Sequence, residues 1–342
     1  MSCYKTLDFE PAACLLATGE DKPQVQTVGE YVYEDGMGYA PDYCYCLIIT
    51  TITGNETYWK KYEPATNSLV LKATTPWGTS YDMTYDATHK LFVCSTGVGV
   101  TSRILTFDPV TETTDSFLTG VTGWVGDLFY VPEKGYCYGH IGEDGTGKHY
   151  IGYVDLDLRV VVQLGVIPNY GGSTPFGYNL TYSPVSNCIY GAWITGLGAG
   201  LLRFDLATNT GTHLFTGLGT WGAIDCCWDS DRELLICCGS GGFVYEVNTA
   251  TDTISLTTNI SSATIYSFAW RPFYVSSLHK VVATGHNQDG DHCVMTYDTL
   301  DQSAQIVFSD YEYWTVQQLV DGSFMSNAED PVENGIRRIF VL

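Results

Sequence analysis

Leu202-Arg203-Phe204-Asp205-Leu206-Ala207-Thr208-Asn209-Thr210 is an apolar run that ends on an aromatic residue and an acid, then passes into a turn of small polar residues. Val244-Tyr245-Glu246-Val247-Asn248-Thr249-Ala250-Thr251-Asp252-Thr253 repeats the pattern. Aliphatic β-branched and aromatic side chains suit a pleated strand. Asp, Asn and Thr accept hydrogen bonds from nearby backbone and tolerate the dihedral angles of tight turns. Each segment therefore reads as the end of one strand, a hairpin turn and the start of the next strand.

The aromatic residue recurs along the whole chain, at Tyr62, Phe107, Tyr153, Phe204, Tyr245, Tyr297 and Phe340. Successive members are 41 to 52 residues apart, about 46 on average, which is the length of four short strands with their turns. Seven such units predict an all-β fold, a seven-bladed β-propeller of four-stranded blades. The last unit stops where its outer strand should begin, while Tyr4-Lys5-Thr6-Leu7-Asp8-Phe9 has no unit of its own. The N-terminal strand is accordingly expected to close the last blade and remove the open sheet edge. No Pro-, Ser- or charge-rich linker interrupts the 342 residues, so residues 1–342 read as a single propeller domain.

The two segments quoted above resemble the repeats of the YVTN/YncE-like propellers, within the wider WD40 and quinoprotein-like group. The resemblance covers most of the chain and implies the fold; that group contains both binding platforms and enzymes. The chain departs from WD40 repeats proper, because its Trp228-Asp229 pair lies on a different strand from that signature.

Composition narrows the function. The 38 acidic against 16 basic residues give a formal charge of −22. Such a field repels nucleic acid; it reads first as a solubilising surface, with attraction of cations or basic partners as the sharper alternative. The first residues enter mixed sequence without an apolar leader, and no run approaches a membrane span. A soluble protein is expected, cytoplasmic or in another reducing environment, or part of an assembled particle. Cys94, Cys137, Cys188, Cys237 and Cys238 recur on the second strand of successive repeats and read as small buried hydrophobes rather than disulfide partners.

Two sets of residues are candidate sites. On the first strand of each unit a polar position recurs at Glu30, Asp82, Asp127, Asn179, Asp225, Ser267 and Gln317. If these strands line the central channel, Glu30, Asp82, Asp127 and Asp225 bring carboxylates together. A hard cation such as Ca²⁺ would relieve their repulsion; the competing reading is that each bonds the backbone of the adjacent blade. Just upstream, Trp77, Trp124, Phe176, Trp221, Tyr266 and Trp314 recur on the entry to the same strands. Rings on one face of the disc suit stacking on a glycan, and filling gaps between blades is their other use.

Motifs for catalysis are weak. Gly142-Glu143-Asp144-Gly145-Thr146-Gly147-Lys148 has phosphate-loop spacing, but His149 stands where Ser or Thr is required and strands flank it on both sides. His286-Asn287-Gln288-Asp289-Gly290-Asp291-His292-Cys293 gathers metal-ligand types without a glutamate at the calcium-loop distance. The seven histidines are scattered, and no nucleophile elbow or zinc-protease motif occurs. The expected function is a non-catalytic platform binding a protein or a glycan. A self-associating structural building block is the alternative, and an enzyme or metal protein built at the channel mouth the third reading.

Overall fold

The computed structural model describes residues 28–29, 37–43, 45–52, 56–63, 68–77, 83–96, 102–168, 180–195, 198–216, 225–239, 241–260, 265–287, 289–290, 292–308, 312–318, 324–329 and 335–339. Their strands pair, antiparallel throughout, into four-stranded sheets, numbered here in chain order. Sheet 1 runs Met37–Ala40, Tyr45–Ile52, Glu56–Glu63 and Ser68–Thr75; sheet 2 runs Met83–Asp86, Leu91–Thr96, Arg103–Asp108 and Thr113–Leu118. Sheet 3 comprises Gly123–Val131, Tyr136–Glu143, Lys148–Asp155 and Val160–Ile167, and sheet 4 Leu180–Ser183, Cys188–Thr195, Gly198–Asp205 and Thr210–Thr216. Sheet 5 is Asp225–Asp229, Leu234–Gly239, Phe243–Asn248 and Thr253–Asn259; sheet 6 is Ile265–Val275, Lys280–Asn287, His292–Asp298 and Ala304–Phe308. Sheet 7 takes Glu312–Gln318, Phe324–Glu329 and Gly335–Ile339 from the C-terminal end and Val28–Gly29 from the N-terminal side. Each first strand lies against the first strands of its neighbouring sheets, which places these strands around a common axis. The fold is an all-β propeller.

The apolar core lies between sheets. Alternation along a strand sends successive side chains to opposite faces, and both faces of a sheet are buried here. In sheet 5, Leu235 and Cys237 join Tyr190 and Leu201 of sheet 4. Their neighbours Ile236 and Cys238 join Val281 and Met295 of sheet 6. Vicinal Cys237 and Cys238 thus serve different cores, and so do Cys226 and Cys227. Cys94, Cys137, Cys188, Cys226, Cys227, Cys237, Cys238 and Cys293 are all buried and form no disulfide. Between sheets 1 and 2, Trp59 stacks on Phe107 with ring centroids 5.5 Å apart.

Two turns repeat within the sheets. The hairpin between third and fourth strands starts at Asp108, Asp155, Asp205, Asn248 and Asp298, and each has a left-handed residue four positions later: Glu112, Arg159, Asn209, Asp252 and Gln302. The side chain at the start accepts backbone N–H groups of the turn. Asp205 Oδ1 takes Ala207 and Thr208, Asn248 Oδ1 takes Ala250 and Thr251, and Asp298 Oδ1 takes Leu300 and Asp301. The acid read from the sequence as a turn starter does that work. The hairpin between first and second strands likewise ends in left-handed Lys90, Gly135, Asn187, Glu233 and His279.

Strand register corrects three details. In sheets 2, 4 and 6 the residue opposite the second position of the neighbouring strand is Phe107, Phe204 or Tyr297. In sheets 3 and 5 that place belongs to Val154 and Val247, not Tyr153 and Tyr245. The position demands burial, which valine satisfies as well as an aromatic ring. The outer strand of sheet 7 is Val28–Gly29, paired with Ile336 and Gly335; Tyr4–Phe9, expected in that place, lies outside the described residues. The first strand of sheet 1 is Met37–Ala40 rather than the stretch starting at Glu30. Glu30 itself lies outside the described residues.

The third correction concerns sheet 6, whose first strand carries three register shifts. Counting back eight residues from the left-handed turn residue gives Asp127 in sheet 3, Asp225 in sheet 5 and Arg271 in sheet 6. The extra residues of the bulges displace Ser267 from the polar position, and Arg271 takes it.

Because Asp298 accepts two N–H groups of its turn, replacing it with Ala should lower unfolding free energy by about 1 kcal/mol in urea titrations. A change below a few tenths would show that the turn needs no side-chain acceptor.

Candidate functional site

Three consecutive first strands end in an aromatic residue followed by one more residue and the turn: Tyr130 in sheet 3, Tyr182 in sheet 4 and Trp228 in sheet 5. These half-buried rings line an open pocket of about 340 Å³, together with Phe129 and Val131. Pro132, Pro184 and Ser230 from the turns form its rim, and Thr181 adds a hydroxyl. Glu133 and Glu233 stand at the mouth, both exposed.

The geometry follows from the strand pattern. Val131 is fully buried in the core between sheets 3 and 4, which fixes the end of its strand. Tyr130 is held from the other side: its N–H donates to Thr84 Oγ1 at 3.1 Å, and its hydroxyl is 2.7 Å from Thr88 Oγ1 of sheet 2's turn. Tyr182 donates its hydroxyl to Asn187 Oδ1 at 3.1 Å. Lys134 holds its ammonium 5.9 Å from the Tyr182 ring centroid. Burial, followed by the charge of Glu133, raises the Tyr182 phenol above its ordinary pKa, so this ring lies within the field of the pocket's mouth.

A second cluster lies nearby in sheet 3. Asp127 occupies a bulge with left-handed φ of 53°. Its Oδ2 stands 3.6 Å from Nδ1 of buried His140, whose Nε2 lies 2.9 Å from Nδ1 of buried His149. The two imidazoles are diagonal neighbours across the hairpin, since Gly142 pairs with His149 and Ile151 with His140. Burial pushes both down to about 4, and the charge of His140 adds to the effect on His149. Carboxylate and imidazoles form a row rather than surround one point. Among the described residues, no three His, Cys, Asp or Glu side chains are grouped to hold a metal ion.

The polar positions expected to bind Ca²⁺ are thus placed individually. Asp225 is fully buried, and its Oδ2 accepts the backbone N–H of Arg271 in the next sheet at 2.8 Å. That is the bond to adjacent-blade backbone anticipated as the competing role. Asp127 faces His140, while Glu30 and Asp82 lie outside the described residues.

Among the six aromatic candidates, Trp77 carries the Arg103 guanidinium 3.9 Å from its ring centroid, and its carbonyl accepts the Thr57 hydroxyl. Trp124 lies within the first strand of sheet 3 rather than on a loop, edge-on to His140 at 4.8 Å. A side chain on Gly142 would put Cβ 2.4 Å from the indole nitrogen, so only glycine fits beneath it. Tyr266 and Trp314 lie on the first strands of sheets 6 and 7; Phe176 and Trp221 lie outside the described residues. The phosphate-loop lookalike is the hairpin between the second and third strands of sheet 3.

The pocket aromatics Tyr130, Tyr182 and Trp228 each stand three residues after a polar position of the first strands, at Asp127, Asn179 and Asp225, a spacing legible in the sequence. Their convergence was not, because it depends on three sheets meeting at the axis.

No protein-family model and no curated protein matches the sequence. Among solved structures, the WD40 β-propeller domain of Doa1 is similar to this chain with a TM-score of 0.62 at 12% identity, covering 93% of this chain and 97% of that one. The likeness shows a β-propeller fold. Among the described residues no helix is long and apolar enough to cross a membrane.

Two outcomes are expected. Trp124→Ala should destabilise the protein by about 3 kcal/mol, as truncation of a packed aromatic does; retained stability would show that the indole is free for a ligand. The histidines have folded-state pKa values below the ordinary 6.5. Between about pH 6.5 and 4 the unfolded chain therefore binds protons that the folded chain does not, and stability falls on acidification. Each imidazole contributes on the order of 2 kcal/mol to that loss. Thermal melts at neutral pH and near pH 4.5 should show a smaller acid-induced drop for His149→Gln than for wild type.

Proposed function

We propose that this chain is a single seven-bladed, YVTN-like propeller domain over residues 1–342 that acts as a non-catalytic protein-interaction platform. It engages a partner on the face where the first hairpin turns surround the Tyr130–Tyr182–Trp228 pocket. The observation that carries this reading is the pocket itself. Three sheets contribute half-buried rings at the same strand position, with exposed proline and glutamate side chains around them. Apolar cavities of a few hundred Å³ with few polar groups are where side chains of partners and small ligands are bound.

Support for the blade count comes from the set of four-stranded sheets and from the position of sheet 7's first strand, against the first strands of both sheet 6 and sheet 1. A protein partner is favoured over a glycan by the state of the described aromatic candidates. Trp77 is covered by Arg103 and Trp124 is locked over Gly142, so neither presents an open face for a sugar. The platform role is favoured over catalysis by the histidine pair, which is buried, neutral at ordinary pH and aligned in a row with a carboxylate but no nucleophile.

Ser230 is exposed on the pocket rim, so Ser230→Trp should occlude the pocket without disturbing the core. In a screen of short immobilised peptides against the full chain, peptides that bind wild type should lose at least about tenfold in affinity for this variant, which is about 1.4 kcal/mol. Unchanged binding of every captured peptide would move the interaction surface elsewhere and remove the basis for this reading.

A further inference from the structure

Resting on the platform reading, we infer that the Tyr130–Tyr182–Trp228 pocket is a receptor for a cationic side chain, a lysine or arginine presented by a partner polypeptide. The lining has the two halves that such a side chain requires. Phe129, Tyr130, Val131, Tyr182 and Trp228 supply apolar and aromatic surface inside, against which the methylene stem of lysine or arginine packs. Aromatic faces attract the charged head through their quadrupole. Glu133 and Glu233 at the mouth supply carboxylates for that head.

Three further observations point the same way. One of the lining rings already has a cation beside it: Lys134, next to Glu133 in the chain and outside the lining, holds its ammonium 5.9 Å from the Tyr182 ring centroid. Glu133 also bears directly on the pocket interior, as the second cause after burial of the raised Tyr182 phenol pKa. Finally, the chain as a whole carries a charge of −22, which steers basic segments toward it and repels anionic ones. Acidic and phosphorylated segments are therefore excluded as occupants. A neutral sugar would use the rings but gain little from two carboxylates that need a counter-charge.

The left-handed Glu233 makes the arrangement specific to this part of the ring. At the equivalent turn position stand Lys90, Gly135, Asn187 and His279, so sheet 5 is the described sheet that places a carboxylate there. The acid thus breaks the repeat at the edge of the pocket, where the repeat-wide turn geometry would accept many other residues.

The test uses the full chain and a random library of short displayed peptides, with defined hits resynthesised and titrated by Trp228-containing intrinsic fluorescence. Enrichment of lysine or arginine is expected. Changing the enriched cation to norleucine or glutamine should weaken binding about tenfold or more, and so should Glu133→Gln with Glu233→Gln; both positions are exposed, so the double variant keeps the fold. Binding should also weaken as salt rises, since the pair sits at the surface. Enriched peptides that lack lysine and arginine yet lose binding to Ser230→Trp would overturn the cationic assignment while leaving the platform reading intact. No enrichment of any peptide would overturn both. Binding of neutral oligosaccharides that is quenched by the pocket variant and indifferent to salt and to the glutamate changes would assign the pocket to a glycan instead.

Discussion

Burial of both faces of sheets 2 to 5 against their neighbours is the constraint on which the rest of this molecule depends. A four-stranded sheet of short strands has no interior of its own, and its apolar side chains leave water only when another sheet covers them. The cores therefore lie between sheets 1 and 2, 2 and 3, 3 and 4, 4 and 5, and 5 and 6. The inner strands of sheet 5 are buried on both faces, which explains why vicinal cysteines are tolerated at 226–227 and 237–238. A thiol is small, weakly polar and content on either face, whereas a serine at the same place would need a hydrogen-bond partner in each core.

Stacking sheets in this way turns the first strands toward a shared axis, and the chemistry of the axis follows. Polar residues there cannot be left without partners. Asp225 meets the need by accepting the Arg271 N–H across the sheet boundary, a bond available because the bulge turns that backbone outward from its own sheet. Asp127, also in a bulge, faces His140 instead. The same strand position is thus used for inter-sheet bonding in one place and for a buried carboxylate–imidazole row in another. Just beyond, where the strands end, the side chains leave the cores and the rings of Tyr130, Tyr182 and Trp228 become half exposed. The pocket is the consequence of three cores ending at the same level.

The turns show how much local chemistry contributes. An Asp or Asn at the start and a left-handed residue four positions on recur in sheets 2 to 6, although the left-handed residue is variously Glu, Arg, Asn, Asp and Gln. Non-glycine residues in that conformation carry a strain of roughly 1 kcal/mol or more, which the side-chain acceptor and the two flanking ladders offset. This is why the turns were legible as acid-plus-small-polar stretches even where no glycine marks them.

What the sequence determined by itself was the repeat: strands of alternating apolar residues, turn acids at Asp108, Asp205 and Asp298, thiols on the second strands and a strongly negative charge. These are properties of neighbouring residues, and they survive any arrangement of the sheets. Register and convergence were decided only by the tertiary structure. The periodic pattern could not distinguish Tyr153 from Val154, Ser267 from Arg271, or Glu30 from the residues beginning at Met37, because a bulge or an outer-strand crossover shifts the count without changing the composition. Nor could it bring Trp228 to Tyr130 or His140 to His149. Those contacts exist because sheets curve round one axis and hairpins pair in one register, and the free energy that selects that arrangement comes from cores shared between segments distant in the chain.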